Sequence, residues 1–247
     1  MNKTAAIEFW FDFISPYAYF ASLELPVLAH RHGRELRWRP MLLGISVIKT
    51  MGLKPLMETP LKADYVLRDI ERTSRRKGLS IGKNLHAPPM HPVPAARVMA
   101  WLDQHRRNLA PTFAALVFDR YWRLGRPMDQ PEELRSALID SGMEPAEVAQ
   151  ALARSPAAEL LQVSVEASLA QGVFGSPFVR VDGESFWGHD RLTQVDEWLA
   201  VGGWQWERFA APCSYRSTTS TDVSAREQQG VKQRPAARSG AVRKLSR

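Results

Sequence analysis

The alternation of apolar and polar positions divides the chain into two kinds of segment. From Ile7 to Ile14 the residues are almost wholly apolar and aromatic, as expected of a strand covered on both faces. At Ser15-Pro16 the spacing turns helical and predicts a helix from Tyr17 to His32, with Phe20, Leu23, Val27 and Leu28 near one face and Gly33 as the stop. Pro26 lies inside that helix and is expected to kink it or end its first part. Glu35 to Pro40 alternates with the period of a second strand. Strand, helix, strand implies a parallel pair joined by a right-handed crossover.

The pattern then changes for about 130 residues, where helical spacing dominates. Helices are predicted over 60–77, 94–107, 111–124, 131–141, 144–153 and 156–171. Glu132 and Glu133 in a first turn and Gly142 past an end follow the usual start and stop chemistry. Gly82, Pro88, Pro89 and Pro92 make 78–92 a loop. Strand signals return at Phe178–Val181 and Glu184–Trp187, separated by Asp182-Gly183, a hairpin turn pair. A last helix is predicted from Arg191 to Ala200. The fold class is therefore α/β: a βαβ…ββα domain, built from 1–42 and 172–206, with an all-helical domain, 43–171, inserted in its middle. Residues 207–247 lack apolar periodicity and read as a basic, disordered tail.

Charge refines this division. The 247 residues carry a net +7, and after Cys213 eight basic side chains face only Asp222 and Glu227, which leaves about +1 for the body. A near-neutral body does not suit a fold built around phosphate, so nucleic acid is expected to meet only the tail, and without specificity. No apolar run reaches the roughly 18 residues that span a bilayer, and Met1 to Thr4 leads directly into a strand-like segment with no cleavage signal. One cysteine, Cys213, cannot form an internal disulfide. A cytoplasmic protein is the expectation.

The candidate chemistry sits at the first strand–helix junction. Ser15 before Pro16 is a good N-cap, because its hydroxyl can accept from an orphan amide while proline fits the first helical position. The same hydroxyl, at the tip of a buried strand and the positive end of a helix dipole, also sits where an anion would be held. Both readings stand from the residues alone. Asp69 and Arg72, three apart on one predicted helix, read equally well as a plain structural pair.

The order of elements is that of a thioredoxin-like domain carrying a helical insertion, and four stretches resemble one family in particular. They are Phe11-Asp12-Phe13-Ile14-Ser15-Pro16-Tyr17; Leu42-Leu43-Gly44 through Lys49 and Gly52; Lys62, Tyr65, Asp69 and Arg72 in their spacing; and Gly172 to Pro177 with Phe186 to Arg191. Together they resemble the 2-hydroxychromene-2-carboxylate isomerases and kappa-class glutathione transferases, relatives of the disulfide oxidoreductase DsbA. The resemblance implies glutathione as cofactor and Ser15 as the catalytic residue, donating to the glutathione sulfur where disulfide-handling relatives place a cysteine. No cysteine precedes residue 213, so a dithiol cycle is excluded.

The resemblance further implies that Pro177 is cis and that the peptide group of Ser176 pairs with the glutathione backbone. Trp187, Gly188, His189 and Asp190 would then hold its γ-glutamyl end, though Asp190 also reads as an N-cap and His189 as a structural contact. Lys49 and Lys62 would face a small aromatic carboxylate substrate. In the isomerases the glutathione sulfur adds to an unsaturated carbon of the ring-opened compound, a former double bond rotates, and the sulfur is expelled; this belongs to aromatic-compound catabolism. Dimerisation is common in that family. Leu53 departs from the family's usual Asn. A kappa-like transferase or peroxidase, and a non-catalytic thioredoxin-like binding module tethered by its tail, are the alternatives.

Overall fold

A computed structural model describes residues 6–204. The described residues form one compact unit; Cys213, Trp206 and the basic tail lie outside them.

The sheet has four strands in the order β2-β1-β3-β4. β1 (Ile7–Phe11) pairs in parallel with β2 (Leu36–Pro40), Phe9 opposite Trp38, and antiparallel with β3 (Phe178–Val181), Phe9 opposite Val179. β1 is thus central, which explains its near-continuous apolar run: Ile7, Phe9 and Phe11 are fully buried. Phe9, Phe11, Phe13, Trp38 and Phe118 form a chain of tilted and edge-on ring contacts with centroids 4.9–5.7 Å apart. β4 (Glu184–Trp187) completes the hairpin, and Asp182 and Gly183 both have positive φ, 52° and 90°, as a tight turn of this hand requires.

α1 (Pro16–Arg31) follows β1 and runs unbroken through Pro26, which faces solvent. It does not end there because the missing amide lies on the exposed side, while Phe20, Ala21, Leu25, Leu28 and Ala29 anchor the helix along the core. Leu23 and Val27, expected on the packed face, are 44% and 61% exposed; the inward stripe is shifted by one to two residues, so Leu25 and Ala29 take their places.

The helical stretch contains α2 (Lys62–Lys77), α3 (Val93–His105), α4 (Ala110–Phe118), α5 (Pro131–Asp140), α6 (Pro145–Leu152) and α7 (Arg154–Ala170), and α8 (Leu192–Val201) closes the described chain. Two departures from the expected helices matter for the site. After Leu43 the backbone forms a wide π turn, Gly44–Thr50, and α2 starts only at Lys62, after Leu61 at φ 68°. α4 passes at Phe118 into a second π turn, Asp119–Arg123, where the register shift turns Tyr121 and Trp122 inward. The Trp122 indole then donates to the Phe13 carbonyl at 3.0 Å, tying the helical stretch to the loop after β1. No described helix is long and apolar enough to cross a membrane.

Candidate active site

The site is built from the end of β1. The Asp12 carbonyl accepts from the Ser15 amide at 3.0 Å, closing a turn that delivers Ser15 to the start of α1. Ser15 has extended backbone angles, Pro16 takes the first helical position, and Ser15 Oγ accepts from the Ala18 amide at 3.2 Å. Ser15 is therefore an N-cap. Its own proton is available for a second partner, and here it goes to the Ser176 carbonyl at 2.9 Å, 161 residues away in sequence. The hydroxyl is 3% exposed and lies at the positive end of a 16-residue helix.

Ser176 and Pro177 form a cis peptide bond, as the resemblance implied. The proline is buried and immediately precedes β3, which lies between β1 and β4 rather than at an edge. Ser176 Oγ accepts from the Asp12 amide at 2.9 Å, so serines 15 and 176 are each bonded to the other's loop. The Pro177 carbonyl accepts from the Gly188 amide at 3.0 Å. Gly188 has φ 107°, and a Cβ there would stand 2.3 Å from Asp190 Oδ1; one on Gly175 would stand 2.4 Å from Trp187 Nε1. Gly175 thus leaves room for the Trp187 indole, and Gly188 takes a positive φ with the Asp190 carboxylate folded back against it.

His189 stacks on Tyr17, ring centroids 5.3 Å apart and 10° from parallel, and touches Phe20. Burial, and then the Lys77 charge, lowers its pKa, against the opposing charges of Asp190, Glu24 and Asp69. Its ring serves as a packing surface for the helix that carries Ser15. Asp190 is exposed, 3.4 Å from Arg191, and does not cap α8, whose N-cap is Arg191. Trp187 is 56% exposed and packs edge-on against Phe174.

The structure thus brings Ser15, Ser176, Pro177 and Gly188 into one bonded cluster, with Trp187, His189 and Asp190 around it. Lys49 and Lys62 are exposed and make no ion pair among the described residues; no contact ties either to the cluster. Two residues were not read as site residues from sequence. The Tyr17 hydroxyl donates to Asp69 Oδ2 at 2.8 Å, and Asp69 also accepts from Arg72, so the pair on α2 grips the helix bearing Ser15. Burial, then the bond to Asp69, raises the Tyr17 pKa far above its usual range. The other is Asp12, whose buried carboxylate accepts from the amides of Ile14 at 3.2 Å and Leu43 at 2.8 Å. Its pKa rises to about 6, because desolvation outweighs the two amide bonds. An acid inside an aromatic strand was the available signal.

Residues 6–200 match the family model of the DSBA-like thioredoxin domain. A 2-hydroxychromene-2-carboxylate isomerase from Sphingobium xenophagum is 32% identical over 206 residues, 81% of this chain and 99% of that relative. The chain belongs to the 2-hydroxychromene-2-carboxylate isomerase family of DsbA-like thioredoxin domains. A glutathione S-transferase kappa 1 from Caenorhabditis elegans is 23% identical over 81% of this chain and 92% of its own. Among solved structures, a 2-hydroxychromene-2-carboxylate isomerase superposes with a TM-score of 0.67 at 24% identity, covering 80% of this chain and 95% of that one. The cytosolic disulfide reductase DsbM from Pseudomonas aeruginosa, determined with GSH, gives 0.56 at 17% identity, over 80% and 96%. These likenesses fit the α/β fold with a helical insertion described above. Among the described residues no His, Cys, Asp and Glu side chains are grouped to hold a metal ion.

Proposed function

We propose that this protein is a glutathione-dependent isomerase of the 2-hydroxychromene-2-carboxylate type, acting in the cytoplasm on a small aromatic carboxylate. The observation that carries this is the Ser15 hydroxyl, capping α1 and 2.9 Å from the carbonyl that precedes cis-Pro177. The donor set suits a thiol peptide: one hydroxyl proton at a helix N-terminus, a buried backbone step before a cis-proline, side-chain-free approaches at Gly175 and Gly188, and an exposed carboxylate on Asp190. Bound there, glutathione would supply a sulfur nucleophile that adds reversibly to a conjugated carbon and so frees a double bond to turn.

The remaining work falls to the chain's own residues. Ser15 would turn its proton from the Ser176 carbonyl to the sulfur, and the freed carbonyl would accept from the ligand's backbone. If the hydrogen bond and the helix dipole each lower the thiol pKa by about one unit, some 1.4 kcal/mol apiece, a thiol of free pKa about 8.5 is mostly ionised near neutrality. Asp190 would meet the γ-glutamyl ammonium and the Gly188–His189 backbone its carboxylate, with Trp187 flanking it. Lys49 and Lys62 would attract the substrate carboxylate by charge. Kappa-class relatives at 23–25% identity favour a second reading, a transferase using the same thiol on another acceptor.

The test is to follow the spectrum of a 2-hydroxychromene-2-carboxylate with purified protein, with and without glutathione. This reading expects isomerisation that requires glutathione and conserves mass. Formation of a stable glutathione conjugate would favour the transferase, and turnover without glutathione would overturn both.

A further inference from the structure

Asp12 is bonded to both serine-bearing loops of the site and to Leu43. Its amide donates to Ser176 Oγ, its carbonyl accepts from the Ser15 amide, and its two carboxylate oxygens accept from Ile14 and Leu43. The turn it opens brings the Asp12 and Ser15 Cα atoms within about 7 Å. Leu43 is the residue from which the first π turn departs, and the segment beyond it exposes Ile48, Met51, Leu53, Leu56 and Met57. The side chain thus joins the thiol loop to the start of an apolar segment, while the backbone amide of the same residue reaches the cis-proline loop, and Asp12 is the only acid among the fully buried residues of β1 and its turn.

We propose that ionised Asp12 is the positioning residue of this site: by holding the Ile14 and Leu43 amides its carboxylate fixes the turn whose backbone bonds Ser15 and Ser176, and glutathione binding is lost when it takes up a proton. This rests on the function proposed above. A neutral Asn or Ser would satisfy an amide without the desolvation of a charge; a carboxylate, with two acceptor oxygens and no donor, accepts from both amides at once. Protonation converts one oxygen into a donor facing an amide that is itself a donor.

The elements packed around Asp12 offer few competing charges. The thiol loop contributes Ile14 and Ser15, the cis-proline loop Ser176, and the π turn its Leu43 amide, none of which titrates in the relevant range. Tyr121, on the second π turn, is the titratable group that senses the Asp12 charge, and burial holds its pKa above its usual value, so it stays neutral. The carboxyl itself titrates at about 6.

The experiment is calorimetric titration of the full chain with glutathione and with S-methylglutathione, which has no thiol to ionise, from acid pH to pH 8, for wild type and Asp12→Asn. Wild type is expected to lose affinity for both peptides as pH falls through about 6, with circular dichroism unchanged. Asp12→Asn, which can satisfy only one of the two amides, is expected to bind roughly tenfold more weakly at pH 8, the effect of one lost hydrogen bond to a charged acceptor, and to show no step near pH 6. A step that persists in Asp12→Asn belongs to another group, His189 for example, and overturns the inference. So does tighter binding by Asp12→Asn, which would make the carboxylate only a charge that the thiolate opposes. A flat wild-type profile overturns it without any variant. Wild type that binds neither peptide at any pH overturns this inference and the proposed function together, whereas the earlier outcomes leave the function standing.

Discussion

At the scale of single residues, the site is governed by where protons and charges are held. Ser15 is both a helix cap and a hydroxyl with one proton to give, and its position at 3% exposure limits the partners it can reach. Asp12 carries a measurable consequence for stability. Its folded pKa, about 6, lies above the ordinary 3.8. The native state therefore holds more protons than the unfolded chain between those values, and the group's contribution to stability is full below pH 3.8 and lost as pH rises through 6. Two units correspond to roughly 3 kcal/mol. Urea unfolding of wild type and Asp12→Asn should show wild type losing ground to the variant by that order between pH 3.8 and 6, and by a constant amount above. A gap that widens in the opposite direction would mean the carboxylate is held by favourable bonds rather than at the expense of its hydration. In the sequence Asp12 is legible only as part of a motif, because its partner Leu43 stands 31 residues away and meets it only through the β1–β2 pairing.

At the scale of elements, alternation and the Asp182-Gly183 turn located β3 and β4 to the residue, while the aromatic run placed β1 but carried it to Ile14, three residues past its end at Phe11, where the chain turns at Asp12. The π turns were not legible. Widening a turn by one residue over five to seven positions barely changes apolar periodicity, so Pro111 to Leu124 read as one helix although its last part shifts register to bring Trp122 onto the Phe13 carbonyl. Asp69 and Arg72 were legible as a pair but not as a clamp, since Tyr17 joins them across 52 residues. That clamp is testable. Tyr17→Phe keeps the ring stacked on His189 and removes the hydroxyl, leaving Asp69 to Arg72. It should cost about 1–2 kcal/mol in denaturant unfolding, the usual range for a hydrogen bond to a charged group that is partly exposed, and Asp69→Asn combined with it should add little. Full additivity of the two substitutions would show that the bond does not couple α1 to α2.

At the scale of the whole molecule, a near-neutral body carries the site and the charge lies beyond it. Cutting the chain after Ser214 removes the +6 segment, and it is expected to leave glutathione binding and melting temperature unchanged while abolishing salt-dependent retention on a polyanion column. Loss of glutathione binding in that truncation would place part of the site in the tail. The fold class and the cis-proline agreed with what motif order implied, because the β1–α1 junction and the cis-proline loop are local signals. The cross-links between them, Ser15 to Ser176 and Asp12 to Leu43, exist only after folding. The central claim is that Ser15 and the α1 N-terminus stabilise a bound thiolate. The most direct measurement is ultraviolet difference absorption of glutathione bound to wild type and to Ser15→Ala near neutral pH. A thiolate band with wild type that is lost or moved to higher pH by about one unit in Ser15→Ala is the expected result; an equal band in both proteins would contradict the account.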